Sequence, residues 1–207
     1  MFIELVDALR CPAPHEDSWL VATVDRYHGR YIAEGDLGCP VCRARYLVRD
    51  GAVQFADVFV APEHALEASE DDVARAQALL GLAEPGGRVV LAGSAAALVH
   101  GLEEASGTAM LLVNPRGVTA TPGLSTLWCR DQVPLAPASL RGAIIGAGVS
   151  SAIIPSLVRA LAPGGRLVAP AAMPVPMDVR ELARDDREWV AERTAVSTSA
   201  PVGLRRR

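Results

Sequence analysis

Short apolar runs alternate with helical stretches through the C-terminal two thirds of this chain. The runs are rich in Val, Ile and Leu and lie at residues 87–92, 109–113, 126–129, 143–145 and 166–169. Apolar residues at helical spacing fall between them, at residues 95–105 and 153–161. Continuous apolar strands separated by helices are typical of a parallel sheet that is buried on both faces. We therefore expect an α/β fold, with any ligand at the carboxyl ends of the strands.

A further helix is predicted before this region. Ser69 and Asp72 are spaced as in a capping box, although Asp72 stands where Glu or Gln is usual. Apolar residues then recur at helical spacing up to Gly81, and glycine commonly follows the last turn of a helix. Residues 58–82 are accordingly interpreted as a linker and connecting helix.

The N-terminal 57 residues differ in kind from the rest of the chain. They contain three of the four cysteines and all three tyrosines. The spacing of apolar residues predicts a short amphipathic helix over residues 2–9 and short strands over residues 19–24, 30–32 and 45–48. We therefore expect a small α+β domain at residues 1–57 and a larger domain at residues 83–207.

Two cysteines two residues apart, Cys39 and Cys42, are the sharpest chemical signal in this small domain. Such a pair can bind one zinc ion, and a tetrahedral structural site needs two more ligands. Cys11 and His15 can supply them, although Pro14 stands where a second cysteine is expected. The alternative is a site that has lost its metal, in which the thiols are small buried apolar groups.

Three segments of the small domain resemble the zinc-ribbon family of tRNA-methyltransferase activator subunits and their short bacterial relatives. They are Leu-Arg-Cys-Pro at residues 9–12, Gly-Cys-Pro-Val-Cys at 38–42 and Tyr-Leu-Val-Arg-Asp-Gly at 46–51. The chain departs from the family pattern at Pro14, in place of a cysteine, and at Leu47, in place of the usual proline. Ribbons of that family bind and stabilise a methyltransferase. The resemblance therefore implies a zinc-ribbon-like domain whose partner is another protein subunit or a methyltransferase.

The C-terminal part resembles the class I S-adenosylmethionine-dependent methyltransferases over nearly all of residues 69–207. Residues 157–168, Leu-Val-Arg-Ala-Leu-Ala-Pro-Gly-Gly-Arg-Leu-Val, are similar to the family's helix, Pro-Gly-Gly turn and fifth strand. Residues 131–145 are similar to its stretch from the end of the third strand to the fourth. The resemblance implies a Rossmann-like fold with a mostly parallel seven-stranded sheet and helices on both faces. Its last, antiparallel strands are then residues 188–195 and 201–205.

The same resemblance implies an S-adenosylmethionine site at the turn after the first strand of that domain. Gly93 occupies the first glycine position of the turn, whereas alanines hold the other two glycine positions and Leu91 holds the acidic one. Asn114 matches the acid that binds the ribose hydroxyls, and Asp131 matches the acidic end of strand three. The implied cofactor residues are therefore Gly93, Asn114 and Asp131, and the catalytic residues stay unknown.

Both motifs have lost residues, and this leads to one functional expectation. We interpret the chain as a methyltransferase-like protein that has lost catalysis and acts as a binding or structural subunit. The alternative is an active S-adenosylmethionine-dependent methyltransferase with an unusual cofactor turn, which acts on a small molecule, a protein or RNA.

The charged residues exclude several classes of function. All 20 basic residues are arginines, so enzymes that need a lysine Schiff base or a phosphate-loop lysine are excluded. Residues 1–57 carry six arginines against nine acids, so nucleic acid is not expected to bind through the ribbon. No apolar segment reaches the ~20 residues of a membrane span, and the first residues, with Glu4 and Asp7, are unlike a signal peptide. We expect a cytoplasmic protein without membrane contact.

Overall fold

The computed structural model describes residues 1–57, 67–117 and 123–194, and eleven strands in these ranges form one mixed sheet. The strands are β1 Val21–His28, β2 Tyr31–Gly38, β3 Arg45–Arg49, β4 Ala52–Gln54, β5 Arg88–Ala92, β6 Ala109–Val113, β7 Ser125–Trp128, β8 Leu140–Ile145, β9 Leu161–Pro170, β10 Val179–Arg184 and β11 Glu188–Arg193. Their order across the sheet is β1-β2-β3-β4-β7-β6-β5-β8-β9-β11-β10. The described chain therefore has a Rossmann-like α/β fold with a mixed sheet.

The helices are short. They are a 3₁₀ helix Ile3–Ala8, α1 Glu70–Leu80, a 3₁₀ helix Gly93–Leu98 that leads into α2 Val99–Ser106, and a 3₁₀ helix Ser151–Ile153 that leads into α3 Ile154–Ala160. The predicted capping box of α1 is confirmed, since Asp72 N–H donates to Ser69 and the Asp72 carboxylate accepts from the Ser69 backbone. Gly81 ends α1 in the left-handed conformation. Over the described ranges, no helix combines the length and the apolar character that crossing a bilayer requires.

The five apolar runs form the parallel centre of the sheet. Strands β7, β6, β5, β8 and β9 are parallel neighbours, and β11 runs antiparallel to both β9 and β10. The chain moves outward from β5 to β7 and then returns to β8 on the other side of β5. This reversal creates a switch point between the carboxyl ends of β5 and β8, where open α/β sheets commonly bind ligands.

The last strands pair differently from the expectation. β11 corresponds to the predicted strand at 188–195, but its hairpin partner is β10, which the sequence analysis missed. Residues 201–205, the predicted partner, lie outside the described residues. Three of the six residues of β10 are charged, namely Arg180, Glu181 and Arg184, so it gives a weak strand signal by apolar patterning.

The sheet has eleven strands in the structure, so the expected number of seven was wrong. Strands β1 to β4 pair with one another in antiparallel fashion. β4 also pairs in parallel with β7, and this pairing joins the four strands to the rest of the sheet. Ala52 faces Thr126 in this register. The pairing occurs because β7 would otherwise be an edge strand with unpaired backbone groups. The division into domains at residues 1–57, 58–82 and 83–207 stays a prediction, although residues 1–57 and the rest of the described chain share one sheet.

Two apolar layers cover the sheet, and β5 contributes alternate residues to each. Val90 packs in the layer beneath the first 3₁₀ helix and α3, together with residues of both chain halves such as Leu9 and Leu135. Val89 and Leu91 pack in the layer beneath α1 and α2. At roughly 1.5–3 kcal/mol for each large buried aliphatic side chain, the first of these layers holds the N-terminal segment onto the sheet.

Candidate functional site

The four predicted metal ligands come together in the structure. The ligand atoms of Cys11, His15, Cys39 and Cys42 all lie within 4.8 Å of one another. Cys11 Sγ lies 3.7 Å from Cys42 Sγ, and Cys39 Sγ lies 3.4 Å from His15 Nε2. We call these four residues the metal cluster.

The turn from Cys39 to Cys42 presents two sulfur atoms to the same point. Burial opposes ionisation of the Cys39 thiol, but the backbone N–H groups of Cys42 and Val41 donate to its sulfur and lower its pKa to about 6. The turn closes where Arg43 adopts a positive φ of 60° and its N–H donates to the Cys39 carbonyl at 2.9 Å. A thiolate stabilised by backbone donors is the form in which cysteine binds metal.

Cys11 approaches the cluster from a different part of the chain and is held by Tyr46 on β3. Tyr46 Oη lies 3.4 Å from Cys11 Sγ, and the tyrosine ring packs against Phe55 with 4.8 Å between ring centroids. Burial raises the pKa of the Cys11 thiol, and the tyrosine hydroxyl works in the opposite direction. Tyr46 was missed as a site residue, although it opens the Tyr-Leu-Val-Arg-Asp-Gly segment that carries the ribbon resemblance.

His15 is oriented by its own neighbour. Its Nδ1 lies 2.6 Å from the Glu16 carbonyl oxygen, and a carbonyl only accepts, so Nδ1 carries the proton. The lone pair is then on Nε2, the atom that faces Cys39. Metal-binding histidines commonly have this arrangement, in which one ring nitrogen is fixed by a carbonyl while the other coordinates.

The distances fit a tetrahedral zinc ion. Two sulfur atoms that bind zinc at about 2.3 Å are about 3.8 Å apart at the tetrahedral angle, and a sulfur and an imidazole nitrogen are about 3.6 Å apart. The observed separations are 3.7 Å between Cys11 Sγ and Cys42 Sγ and 3.4 Å between Cys39 Sγ and His15 Nε2. Three thiolates and one imidazole are also a common donor set of structural zinc sites.

The loop that carries Cys11 and His15 is fixed to the C-terminal part of the chain. Gln132 Nε2 donates to the Pro12 carbonyl at 2.7 Å, and Arg10 N–H donates to the Pro134 carbonyl at 2.9 Å. These bonds place the metal cluster beside the segment that follows β7.

At the switch point, the turn after β5 is joined to the segment after β8. Ser94 N–H donates to the Ala147 carbonyl at 3.1 Å, and Ala147 N–H donates back to Ser94 Oγ at 2.8 Å. Gly93 has φ 62°, and a Cβ on it would lie 2.4 Å from both the Ala147 oxygen and a Val149 methyl. We call residues 146–149 the closing segment, because they occupy the space directly against Gly93.

Asn114, which follows β6, is used to fix the end of β7. Its Nδ2 donates to the Cys129 carbonyl at 2.7 Å and its Oδ1 accepts from Cys129 N–H at 2.9 Å. The residue is only 8% exposed and has a positive φ of 46°. Both head atoms of the amide that matched a ribose-binding acid are therefore engaged with the protein backbone.

Asp131 is exposed and lines a cavity of about 730 Å³ together with Pro155, Arg159 and Met177. Neither Gly93 nor Asn114 lines that cavity. A different cavity, of about 450 Å³, lies beneath α1 at the switch point and is lined by Ser94, Ala97, Ile144 and Gly146 among others. The three predicted cofactor residues thus do not line one common cavity among those described.

The arginines at the rim of the switch-point cavity are paired with acids. Arg75 of α1 forms ion pairs with Asp185 and Glu188, and Arg187 pairs with Asp72 at 3.2 Å. These pairs join α1 to the β10–β11 turn. Exposed ion pairs of this kind contribute only about 0–1 kcal/mol each, so their main effect is to define the rim.

Comparison with solved structures finds methyltransferases at low similarity. A protein of Galdieria sulphuraria assigned as a sarcosine dimethylglycine methyltransferase is 12% identical, with a TM-score of 0.39 over 48% of this chain and 45% of that chain. The geranyl diphosphate C-methyltransferase of Streptomyces coelicolor A3(2) is 14% identical, with a TM-score of 0.37 over 55% of this chain and 59% of that one. An assigned S-adenosylmethionine-dependent methyltransferase of Methanococcus maripaludis is 8% identical, with a TM-score of 0.42 over 68% and 100%.

The chain spans less than two thirds of the length of the first two of these proteins. No protein-family model matches the sequence, and no curated protein matches it. At such TM-scores the likenesses assign no family.

Proposed function

We propose that the protein is a methyltransferase-like binding subunit that does not use S-adenosylmethionine and that carries a structural zinc ion. The strand order supports the first part of this description. Strands β5 to β11 follow the order β7-β6-β5-β8-β9-β11-β10, with β11 antiparallel. A mostly parallel arrangement with an antiparallel strand near its end is what the resemblance to class I methyltransferases implies for this part of the chain.

The observation that carries the loss of cofactor binding is the engagement of Asn114 with Cys129. A ribose needs acceptors for its hydroxyl hydrogens, and Asn114 Oδ1 already accepts from Cys129 N–H. Turning the amide towards a ligand breaks two buried hydrogen bonds, at about 1–3 kcal/mol for each group left unsatisfied. The residue in the ribose position therefore serves the structure of the protein.

The closing segment also supports the loss of cofactor binding, at the Gly93 turn, where the resemblance places the methionine part of the cofactor. A cofactor over the Gly93 turn needs bare backbone and space, but Ala147 and Val149 lie where a Cβ on Gly93 would stand. The Ser94–Ala147 hydrogen bonds hold the segment there. The residues present thus do not fit S-adenosylmethionine.

The metal cluster supports the structural zinc ion. Cys11, His15, Cys39 and Cys42 would hold it, and bound zinc would supply a cross-link between the Cys11–His15 loop and the Cys39–Cys42 turn. The four ligands complete a tetrahedron, so the ion has a structural role and leaves no open position for a substrate.

The pairing of β4 with β7 bears on what the ribbon binds. β4 uses the backbone groups of β7, so the ribbon makes its methyltransferase contact within its own chain. We infer that the two parts act as one unit towards a further protein. The nine acids against six arginines of residues 1–57 argue against nucleic acid as the partner of the ribbon.

Titration calorimetry and thermal shift with S-adenosylmethionine and S-adenosylhomocysteine test the proposal. A ligand at 100 times its Kd stabilises a protein by roughly 2.7 kcal/mol, so a micromolar site gives a clear rise in Tm at submillimolar ligand. We expect no heat and no shift at millimolar concentrations. Micromolar binding of either compound would overturn the loss of cofactor binding.

An active methyltransferase is the second candidate, and the switch-point cavity favours it. The cavity of about 450 Å³ adjoins Ser94 and Gly146 at the carboxyl ends of β5 and β8, which is where Rossmann-like enzymes bind ligands. The same titrations decide between the two, because an enzyme of this class must bind the methyl donor in order to transfer its methyl group.

A further inference from the structure

Two thiols of the metal cluster stand close together in contrasting environments. Cys42 is exposed, whereas Cys11 is buried, and their sulfur atoms are 3.7 Å apart. The sulfur atoms of a disulfide are about 2.0 Å apart. The two sulfur atoms therefore need to approach each other by less than about 2 Å to form the bond. The exposed Cys42 side chain can make this movement by rotation.

Cys39 is the third thiol, and it is held differently. Its sulfur accepts the N–H groups of Val41 and Cys42 and contacts His15 Nε2 at 3.4 Å. The Cys39 sulfur also interacts with the Cys11 and Cys42 thiols, but His15 and the turn backbone share it. The 3.7 Å contact between the Cys11 and Cys42 sulfur atoms therefore favours Cys11 over Cys39 as the disulfide partner of Cys42.

We propose that Cys11 and Cys42 form a reversible disulfide under hydrogen peroxide and thereby release the zinc ion. The switch rests on the zinc site of the proposed function. The Cys42 sulfur attacks one peroxide oxygen, the O–O bond breaks, and a sulfenic acid and water form. The Cys11 sulfur then attacks the sulfenic sulfur and displaces a second water. Because zinc binds the two cysteines as thiolates, the two protons that the waters need come from solvent. The two sulfur atoms lose two electrons in total, and the peroxide is reduced to two water molecules.

Release of zinc follows from the ligand count. Oxidation removes Cys11 and Cys42 and leaves only Cys39 and His15, and two ligands do not make a structural zinc site. A disulfide sulfur is no longer a thiolate, so it does not compete for the metal. A thiol reductant breaks the bond by exchange and restores both ligands.

The switch also acts on the C-terminal part of the chain. The Cys11–His15 loop accepts a hydrogen bond from Gln132 at Pro12, and Gln132 with Asp131 lines the cavity of about 730 Å³. The disulfide keeps Cys11 joined to Cys42, while loss of the metal releases His15 from Cys39. The redox state of the cluster therefore changes how the loop that Gln132 contacts is held.

The test uses the full-length, zinc-loaded protein with a small excess of hydrogen peroxide. Zinc release is followed with a colorimetric chelator, and the disulfide is located by peptide mapping. We expect one zinc ion released per chain, a Cys11–Cys42 disulfide, and recovery of zinc binding after reduction. The Cys129→Ala variant is the matched control, because it removes a buried thiol outside the cluster and should release zinc as the parent protein does.

The outcomes separate the switch from the zinc site on which it rests. Protein purified under reducing conditions that contains no zinc, and takes up none, overturns the metal assignment and the switch together. Zinc that is bound but retained under peroxide overturns the switch alone. A mapped Cys39–Cys42 disulfide, or irreversible oxidation of one sulfur, also overturns it.

Discussion

Asn114 and Cys129 exchange two buried hydrogen bonds, in which the asparagine amide both donates to and accepts from the backbone of the cysteine. The pair joins the end of β6 to the end of β7 at the edge of the sheet where a Rossmann-like protein would meet a ribose. A position that fits a ligand-binding acid by sequence is thus occupied by a structural clamp.

Replacing Asn114 by aspartate restores the acid but should weaken the protein. The carboxylate loses the Nδ2–H donor and faces the Cys129 carbonyl in a site that is only 8% exposed. We expect the free energy of unfolding to fall by about 3 kcal/mol, with no gain of S-adenosylmethionine binding. Urea unfolding and calorimetry measure the two effects. The exposed Asp131→Asn exchange makes the same amide-to-carboxylate change in the opposite direction and should change stability little. Micromolar cofactor binding by Asn114→Asp would contradict the clamp.

Adding a methyl group at Gly93 should disturb the closing segment. The new Cβ meets the Ala147 oxygen and Val149, and the residue keeps a φ of 62°. We expect Gly93→Ala to cost about 2–5 kcal/mol, from backbone strain and overpacking together. Gly29→Ala is the matched control, since Gly29 has φ 59° and nothing within 4 Å of the added Cβ. It should cost only about 1–2 kcal/mol. Equal losses of stability in the two variants would show that the closing segment moves away from the added methyl group without cost, which contradicts tight packing against Gly93.

Removing His15 should abolish stable zinc binding. The remaining three thiols lack the fourth ligand, so the loss of affinity should exceed the roughly 10- to 100-fold typical for a residue that only orients a ligand. Chelator competition followed by metal analysis gives the affinity. His28→Ala, on the exposed strand β1, is the histidine control and should keep one zinc ion per chain. If His15→Ala retains zinc as tightly as His28→Ala does, the four-ligand site is wrong.

The turn between β10 and β11 should make stability depend on pH in the acid range. Backbone N–H groups of Glu188 and Arg187, then Arg75, lower the Asp185 pKa from 3.8 to about 2. A carboxyl group whose pKa is depressed by folding contributes stability above its unfolded pKa and loses it as the pH falls through the folded value. The contribution of Asp185 is thus full above about pH 4 and lost towards pH 2.

This effect is measured by comparing the urea unfolding midpoints at pH 5 and pH 2.5. These values lie roughly above and below the ordinary pKa values of carboxyl groups. We expect Asp185→Asn to lower the midpoint at the higher pH and to show a smaller difference between the two. Asp186→Asn, at the exposed neighbouring position, should show the same difference between the two midpoints as the parent protein. If Asp185→Asn also shows that difference unchanged, the assigned contacts of Asp185 are wrong.

Local signals in the sequence were sufficient for much of the fold. The capping box at Ser69 and the glycine at position 81 define α1 because both act within a few residues. The apolar runs define β5 to β9 because strands buried on both faces cannot contain many polar residues. The Cys39–Cys42 spacing likewise predicted a turn that presents two sulfur atoms, and His15 lies close enough in the chain to Cys11 to be recognised as its partner.

Contacts between distant segments could not be predicted in this way. Nothing local to Ala52–Gln54 indicates that it pairs with Ser125–Trp128, and a three-residue strand gives no periodicity to measure. The closing segment was missed for the same reason, since its contact with Ser94 spans more than 50 residues. Tyr46 appeared only as part of a resemblance, because its role depends on Cys11 reaching β3 from a separate loop.

The bridge between Leu9 and Leu135 sets an order of events during synthesis. The last of the four metal ligands is Cys42, but β7 and the segment after it, which support the cluster, are made roughly 80 to 95 residues later at residues 125–135. At about 5–20 residues per second this interval lasts roughly 4–19 s. During that time the N-terminal segment has its own strands β1 to β4 but not β7 to pair with, so metal capture can cross-link it before the rest of the sheet exists. An early supply of zinc should therefore raise the yield of correctly folded chains more than the same zinc added after release.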